Sequence, residues 1–456
     1  MTDRAIRSIL VAGDELVGLS AALAFSRALP QARVTILEVA CGETALANLL
    51  PTTLPAVGRF HAAIGLNELD LVARGVACHH LGTSFSGLGP RDWIHTFGEV
   101  GRGEGAVPFH QLWLRAQRAL PFDHYSAASV IGSLGKFVHP SGDPGSPLSI
   151  YSYGLRLHPE RYRTALTAAS TILPRVAGSI RRIERRQDGG IAAILLEGDR
   201  RVEADLYLDC TGPAALLLDE IDPGFEDWSA WLPPCSVSCT WSEGSEPDPL
   251  DHVRREVDGW HLSATVPGAT LDLRLSAAGK GPTLRPGRRP ASFAANVLAL
   301  GDAAIACGPL IGMNLSLAHS AILRAIDLLP GRNMHTLELA EYNRLTVLEH
   351  GRVRDALALF EAPAAGTPVS LARTLNQWRA RGRLPFFEEE TLDSSSWTQI
   401  LIGQGILPDA TTPLAKGVDT DAAASAMADF AQRLNSLAHD LPPYPSYLAK
   451  MGARAA

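Results

Sequence analysis

Residues 301–314, GDAAIACGPLIGMN, place an aspartate directly after a glycine at the end of the apolar run NVLAL, then add small residues and a Pro-Leu turn. A carboxylate at such a strand end accepts hydrogen bonds from sugar-type hydroxyls, which suits a ribityl chain. Ala303 and Ala304 let the backbone close on a flat ligand, and a helix starting at about Asn314 turns its positive end toward the polar end of an isoalloxazine ring. Gly301, Asp302, Ala303, Pro309, Leu310, Met313 and Asn314 are therefore candidate cofactor-binding residues.

A second constellation lies near the start of the chain. In VAGDELVGLSAA the G-x-G-x-x-G frame falls on Gly13, Glu15 and Gly18. The first and third glycines are present. The middle position normally lets backbone approach a pyrophosphate, and the carboxylate found there would repel one. Glu38, twenty residues after Gly18, closes the next strand and is the expected partner of a ribose hydroxyl. Taken alone, this motif serves a βαβ unit without a nucleotide equally well.

The elements that must position these residues follow from the apolar pattern. RSILVAG reads as a buried strand, LVGLSAALAFSRALP as a helix stopped by Pro30, and ARVTILE as a second strand, which is a βαβ unit with a parallel sheet. Pro- and Gly-rich loops are expected to about residue 115, and a helix over 157–174 with Pro159 at its start. DGG and EGDR mark hairpin turns before the strand ADLYLDCTG, and SVSCTWS and GWHLSATVP read as strands of a second, antiparallel sheet. NVLALGDAA returns to the first sheet, and the chain is mainly helical from 336. The expected fold is α/β: an FAD-binding, Rossmann-like parallel sheet with an inserted antiparallel sheet and a C-terminal helical layer. Residues 1–330 form the discontinuous first module, with the β-rich insertion at about 80–290, and 331–456 form the layer.

Composition limits the alternatives. With 456 residues, 46% hydrophobic and 20% charged, the chain can bury a large core. A net charge of −7 without a basic block gives no footprint for nucleic acid or an anionic membrane, and no apolar run is long enough to span a bilayer. No signal peptide precedes the first strand, so a cytoplasmic location is expected. The six cysteines are read as buried thiols. Cys235 and Cys239 have no second Cys/His pair at finger spacing, so no metal site is expected. Lysine is scarce: Lys136, Lys280, Lys416 and Lys450 are the only ones.

With both constellations in view the chain resembles the flavin-dependent tryptophan halogenases. LYLDCTGPAALL is similar to that family's aspartate-cysteine-serine/threonine-glycine strand, and GDAAIACGPLIGMNLSLAHSAI to its flavin and halide loop. EYNRLTVLEHGRVRDALALF looks like its tyrosine-asparagine and arginine-aspartate helix. WRARGRLPFFEEETLDSSSWTQILIGQGILP looks like its C-terminal segment. The resemblance implies FAD, reduced by a separate flavin reductase, oxygen activation, and an oxidised halogen that passes through an internal tunnel to an aromatic small molecule. It implies a lysine that captures the oxidant, a glutamate that supports attack on the arene, and a homodimer as the possible assembly.

The departures fall on the chemistry. The family's lysine position is His80 here, and its glutamate position is Ile311, which cannot function as an acid. Trp260 and Pro267 are what remains of the tryptophan-rich substrate signature, and the strap over the flavin is NLLPTTLP. His80 reads either as a donor or base in the lysine's place or, with His79, as a polar pair on a strand edge. Arg156, Arg161 and Arg163 read as a solvated helix start, with Arg156 within possible reach of a cofactor phosphate. Trp228, Trp231, Trp241 and Trp260 read as a cluster of core or cavity-wall residues. The expected function is a flavin-dependent oxidoreductase of the tryptophan halogenase or monooxygenase type acting on an aromatic or indole-like substrate, with classical halogenation doubtful and oxygenation the other reaction open to it. The alternatives are a non-catalytic flavin-binding relative and a scaffold whose nucleotide site has decayed.

Overall fold

The computed structural model of the chain describes residues 5–50, 52–244, 246–361 and 366–452, so Pro51 of the strap lies outside the described residues. The chain forms two compact units, each gathered from three stretches. The first takes residues 1–68, 157–237 and 279–357, and the second takes 69–156, 238–278 and 358–456.

In the first unit β1 (Ser8–Ala12), α1 (Leu16–Ala28) and β2 (Arg33–Glu38) make the βαβ opening. β1 pairs in parallel with β2, Ser8 opposite Arg33 and Ala12 opposite Leu37. β3 (Arg175–Ala177) extends the sheet beyond β2, and β4 (Leu206–Asp209) lies on the other side of β1, both parallel. β5 (Phe293–Ala294) and β6 (Val297–Ala299) complete the order β5-β6-β4-β1-β2-β3, in which β5–β6 is the antiparallel pair. All of β4 and all of β1 except Ser8 are buried, as continuous apolar runs in a covered parallel sheet require. α1 is buried from Leu16 through Phe25, so it is apolar on every face rather than striped. The short α2 (Leu46–Leu49), α3 (Pro159–Ala169) and α4 (Asn314–Asp327) complete what positions the site. α3 ends earlier than the 157–174 expected, and α4 begins at the predicted Asn314. The hairpin strands Ile180–Arg185, Ile191–Leu196 and Arg201–Val202 form a small sheet of their own.

The second unit is built on the strands Leu250–Glu256, Gly259–Val266 and Ala269–Ser276. The last two pair antiparallel from Gly259–Ser276 to Val266–Ala269. Buried and part-exposed residues alternate strictly along Gly259–Val266, the signature of a sheet with one face in the core. The sheet is not wholly antiparallel as expected: Leu250–Glu256 pairs in parallel with Gly82–Ser86. The loop expected to run to about residue 115 is also corrected. It contains the strands Ala77–His80, Gly82–Ser86 and Trp93–Thr96 and the helices Val57–Ile64, Glu68–Ala73 and Phe109–Arg115. The strands are too short to show a period, and Ala77–His80 and Gly82–Ser86 pair with strands far along the sequence, whereas Val57, Phe60, His61 and Ile64 do carry a helical spacing. The helices Val369–Arg381, Ser394–Gly403 and Thr420–Asp440 belong to this unit, whereas helix Thr336–Ala358 belongs to the first as far as Leu357.

Candidate active site

The dinucleotide turn has the backbone its glycines require. Gly13 adopts φ +117°, and a Cβ there would lie 2.7 Å from the Cys210 carbonyl oxygen. A Cβ on Gly18 would collide with the Gly13 carbonyl, so that glycine lets α1 pack directly on the turn. Glu15 stands at the N-cap of α1, and its carboxylate lies 3.0 Å from Arg163 Nε, while Arg163 Nη2 lies 2.8 Å from Asp14 Oδ2. Burial raises the Glu15 carboxyl above its ordinary value, against the pull of Arg163 and with the push of Asp14. One guanidinium shared by two carboxylates offsets in part the charge that would repel a pyrophosphate. Arg163 is part-exposed near the start of α3, as expected, but it is also paired. It projects from α3 to clamp the turn, and nothing local in the sequence signals a partner nearly 150 residues away. Glu38 ends β2 with a part-exposed carboxylate 3.7 Å from Arg175.

The Asp302 corner follows β6 in a short turn, Gly301–Ala303. The Asp302 carboxylate accepts the Ala47 N–H at 2.9 Å, holding the start of α2. Burial pushes its pKa up to about 7, against the hydrogen bonds from the Ala47, Leu46 and Asp302 amides. Asp302 therefore titrates near neutrality. Leu54 N–H donates to Ser316 Oγ at 2.8 Å, tying the strap to α4, and Asn314 Nδ2 donates to the Cys307 carbonyl at 2.9 Å. Pro309, Leu310, Ile311, Met313 and Asn314 are buried, Ile311 to 1% exposure. A cavity of about 270 Å³ opens where β4 and β6 end, lined by Thr44, Pro213, Asp219, Arg289, Asp302 and Ala304 among others. Ligands of open α/β sheets bind at the carboxyl ends of strands, and this cavity lies at two of them.

The second unit holds a buried charged cluster around position 80. His80 Nε2 lies 3.3 Å from one Asp251 oxygen, and Arg156 Nη1 lies 3.3 Å from the other. Arg156 also donates to Thr265 Oγ1 at 3.2 Å. His95 has its pKa pushed down to about 3 by burial and by the neighbouring His80. His79 faces Tyr444, whose hydroxyl is 3.1 Å from Nδ1, and its ring stacks on Phe137 at 4.0 Å. His79 and His80 lie on a strand of a two-stranded sheet, every residue of which from Ala77 to His80 is buried. One expectation is corrected here. Arg156 is not at a solvated helix start but inside the strand Gly154–Leu157, fully buried. Its counter-charge, Asp251, comes from a strand far along the sequence, which a local reading cannot anticipate.

Trp260 is buried in the same unit, with Nε1 donating to Glu361 at 2.7 Å and Arg255 over its ring at 4.6 Å. Pro267 is buried in the turn after Val266. The four tryptophans do not form one cluster: Trp228 is buried in the first unit with Arg288 and Arg354 against it, Trp231 also meets Arg354, and Trp241 is exposed. Cys78, Cys210 and Cys307 are buried as expected, whereas Cys41, Cys235 and Cys239 are part-exposed. The structure therefore brings Gly13, Gly18, Glu38, Gly301, Asp302, Ala303, Pro309, Leu310, Ile311, Met313 and Asn314 into the first unit, and His80, Trp260 and Pro267 into the second.

A profile of the tryptophan halogenase family matches residues 8–267 and 263–420. The chain belongs to the tryptophan halogenase family. Among solved structures, BrvH, a flavin-dependent halogenase from Brevundimonas sp. BAL3, is 27% identical with a TM-score of 0.91, over 98% of this chain and 100% of that one. A flavin-dependent halogenase from Xanthomonas campestris is 25% identical with a TM-score of 0.89, over 99% and 100%. A tryptophan 6-halogenase from Streptomyces toxytricini, at 18% identity and a TM-score of 0.84 over 97% and 99%, shares the fold. No curated protein matches the chain. Membership of this halogenase family implies a flavin cofactor, and the first unit fits one. Gly13 and Gly18 leave room for a close backbone approach, Arg163 pairs with Glu15, and Asp302 lines a cavity of about 270 Å³. Among the described residues no helix is long and apolar enough to cross a membrane.

Proposed function

We propose that this tryptophan halogenase relative is a flavin-dependent oxidoreductase that oxygenates an aromatic or indole-like substrate and does not halogenate it, drawing reduced FAD from a separate reductase. One observation carries the reading. Where the family's chemistry calls for an ammonium and a carboxylate, this chain has His80, fully buried and 3.3 Å from Asp251, and Ile311, 1% exposed. An imidazole does not replace an ammonium as carrier of an oxidised halogen, and an isoleucine cannot stabilise the cation formed on an attacked ring.

The bound flavin would supply two electrons for the reduction of oxygen. Gly13, Gly18 and the N-terminus of α1 would receive its pyrophosphate, Glu38 a ribose hydroxyl, and Asp302 the ribityl chain. The balance is that of a monooxygenation: one oxygen atom enters an arene C–H bond as hydroxyl, and the other leaves as water with two electrons and two protons. His80 is the base available to take the displaced ring proton, with Asp251 orienting its imidazole.

The test is to incubate the protein with FAD, a flavin reductase, NADH, bromide and a panel of arenes that includes indole and free tryptophan. Hydroxylated and not brominated product is expected, and bound flavin without any product defeats the reading. The burial of apolar Ile311 favours a second reading, a flavin-binding protein that has lost catalysis. Under it, Ile311→Glu with His80→Lys creates brominating activity where the parent gives no product.

A further inference from the structure

Asp251 in the second unit stands between two bases. His80 Nε2 lies 3.3 Å from its Oδ2, and Arg156 Nη1 lies 3.3 Å from its Oδ1. The three residues come from three strands, Ala77–His80, Gly154–Leu157 and Leu250–Glu256, and all are buried. Arg156 Nη1 also donates to Thr265 Oγ1 at 3.2 Å and lies 3.5 Å from the Leu250 carbonyl, which fixes the guanidinium in place. Its Nε and Nη2 are buried without a hydrogen bond, so no second acceptor draws on its charge, and a guanidinium does not deprotonate in proteins. The neighbouring groups leave this arrangement undisturbed. His80 and His95 both meet Phe97 edge-on, with ring centres 5.3 and 5.7 Å away, and burial together with His80 pushes the His95 pKa down to about 3, so His95 is neutral. His79 turns to the Tyr444 hydroxyl, and Asp248 is matched by His252 Nε2 at 2.9 Å. Burial keeps Cys78 and Tyr444 protonated, Cys78 with its pKa raised to about 11. The charges that act on His80 within this unit are therefore one carboxylate and one guanidinium.

A carboxylate this close to an imidazole ordinarily draws a proton onto it. Here the carboxylate already has a counter-charge, and a proton on His80 would place two cations on one anion in a dry interior. We propose that Arg156 is a positioning residue: by holding Asp251 as its own counter-ion it keeps the His80 imidazole neutral at neutral pH, and so able to take a proton. The assignment rests on the reading of His80 as the base and adds the residue that sets its protonation state. When a ring proton is transferred, one C–H bond breaks and one N–H bond forms on His80, and Asp251 steadies the imidazolium. The guanidinium, roughly 7 Å away across the carboxylate, then favours loss of that proton to water and restores the base.

The experiment follows the His80 ring by NMR in the full chain with isotope-labelled histidine, between about pH 5 and 9, in the wild type and the variants Arg156→Gln, Arg156→Lys and Asp251→Asn. His80→Gln assigns the signal, and circular dichroism verifies that each protein is folded. Wild-type His80 is expected to be neutral at about pH 7; a ring already protonated there overturns the proposal without any variant. Arg156→Gln keeps a donor for Thr265 and removes the charge, so it should raise the His80 midpoint by about one pH unit, a tenfold gain in proton affinity. Arg156→Lys should hold the midpoint near that of the wild type. Asp251→Asn removes the carboxylate and leaves the guanidinium, so it should lower the midpoint, and it keeps the proposal falsifiable if Arg156→Gln does not fold. An Arg156 that only supports the fold costs stability and leaves the midpoint where it was, which overturns the proposal. In turnover, the acid limb of the hydroxylation rate should move up in Arg156→Gln by the same amount. A midpoint that moves while no protein gives hydroxylated product defeats the reading of His80 as the base, whereas product with an unmoved midpoint defeats the Arg156 assignment alone.

Discussion

His80→Lys puts a second full cation beside a carboxylate that already serves one. Asp251 lies 3.3 Å from Arg156 through one oxygen and 3.3 Å from His80 through the other, and none of the three side chains is more than 3% exposed. At an effective dielectric constant of ~20, each such contact amounts to roughly 5 kcal/mol of gross attraction for full charges. Two cations on the two oxygens, roughly 7 Å apart, repel by about 2 kcal/mol. The new ammonium also forfeits several kcal/mol of hydration, so His80→Lys is expected to destabilise by ~3 kcal/mol net. Arg156→Met alone should cost about 3–5 kcal/mol, because it leaves Asp251 buried without a counter-charge. The double variant exchanges one cation for the other and should cost only ~2 kcal/mol, a coupling of at least ~4 kcal/mol. Urea unfolding followed by circular dichroism measures all three. Additivity within ~0.5 kcal/mol would show that position 80 and Arg156 do not share Asp251, and would refute this reasoning.

Other perturbations have outcomes fixed by the same geometry. Gly13→Ala forces a side chain onto φ +117° and against the Cys210 carbonyl, so it should cost about 1–3 kcal/mol and abolish flavin retention, read by denaturant melts and visible absorbance. His319 stacks on Phe60 at 3.7 Å with both ring nitrogens unpartnered among the described residues, and His319→Phe should match or exceed the parent in thermal stability at neutral pH. Burial pushes the His61 pKa down to about 4 against the pull of Glu68, and that of His319 well below its ordinary value. Their unfolded forms take up protons first, so stability should fall as pH drops from about 6.5 toward 4, and His319→Phe should flatten that slope in melts run across the range. Asp302 shifts the other way: its raised pKa makes stability fall as pH rises from about 4 to about 7, and Asp302→Asn should remove that component.

The first sheet and its turn are legible in the sequence because β1, α1 and β2 are contiguous and their apolar runs are long. The start of α4 at Asn314 is legible for the same reason, and the strand LYLD carries its own end signal in Asp209 and Gly212. The short strands at Ala77–His80, Gly82–Ser86 and Trp93–Thr96 are not legible, since four or five residues hold too little period. The main losses are electrostatic. Arg163 with Glu15, Arg156 with Asp251, and Arg289 with Asp219 are pairs 70 to almost 150 residues apart. Each changes the meaning of a residue that reads as a defect or as surface when taken alone. Glu15 looks incompatible with a pyrophosphate until Arg163 is seen, and Arg156 looks solvated until Asp251 closes over it.

The most direct measurement is the visible spectrum of the purified protein with a titration of FAD. The arrangement of Gly13, Gly18, Arg163 and Asp302 predicts absorbance near ~450 nm that is retained on gel filtration, or saturable binding at roughly micromolar FAD. A protein that stays colourless and shows no saturable binding at far higher FAD would contradict the flavin site on which every functional statement here depends.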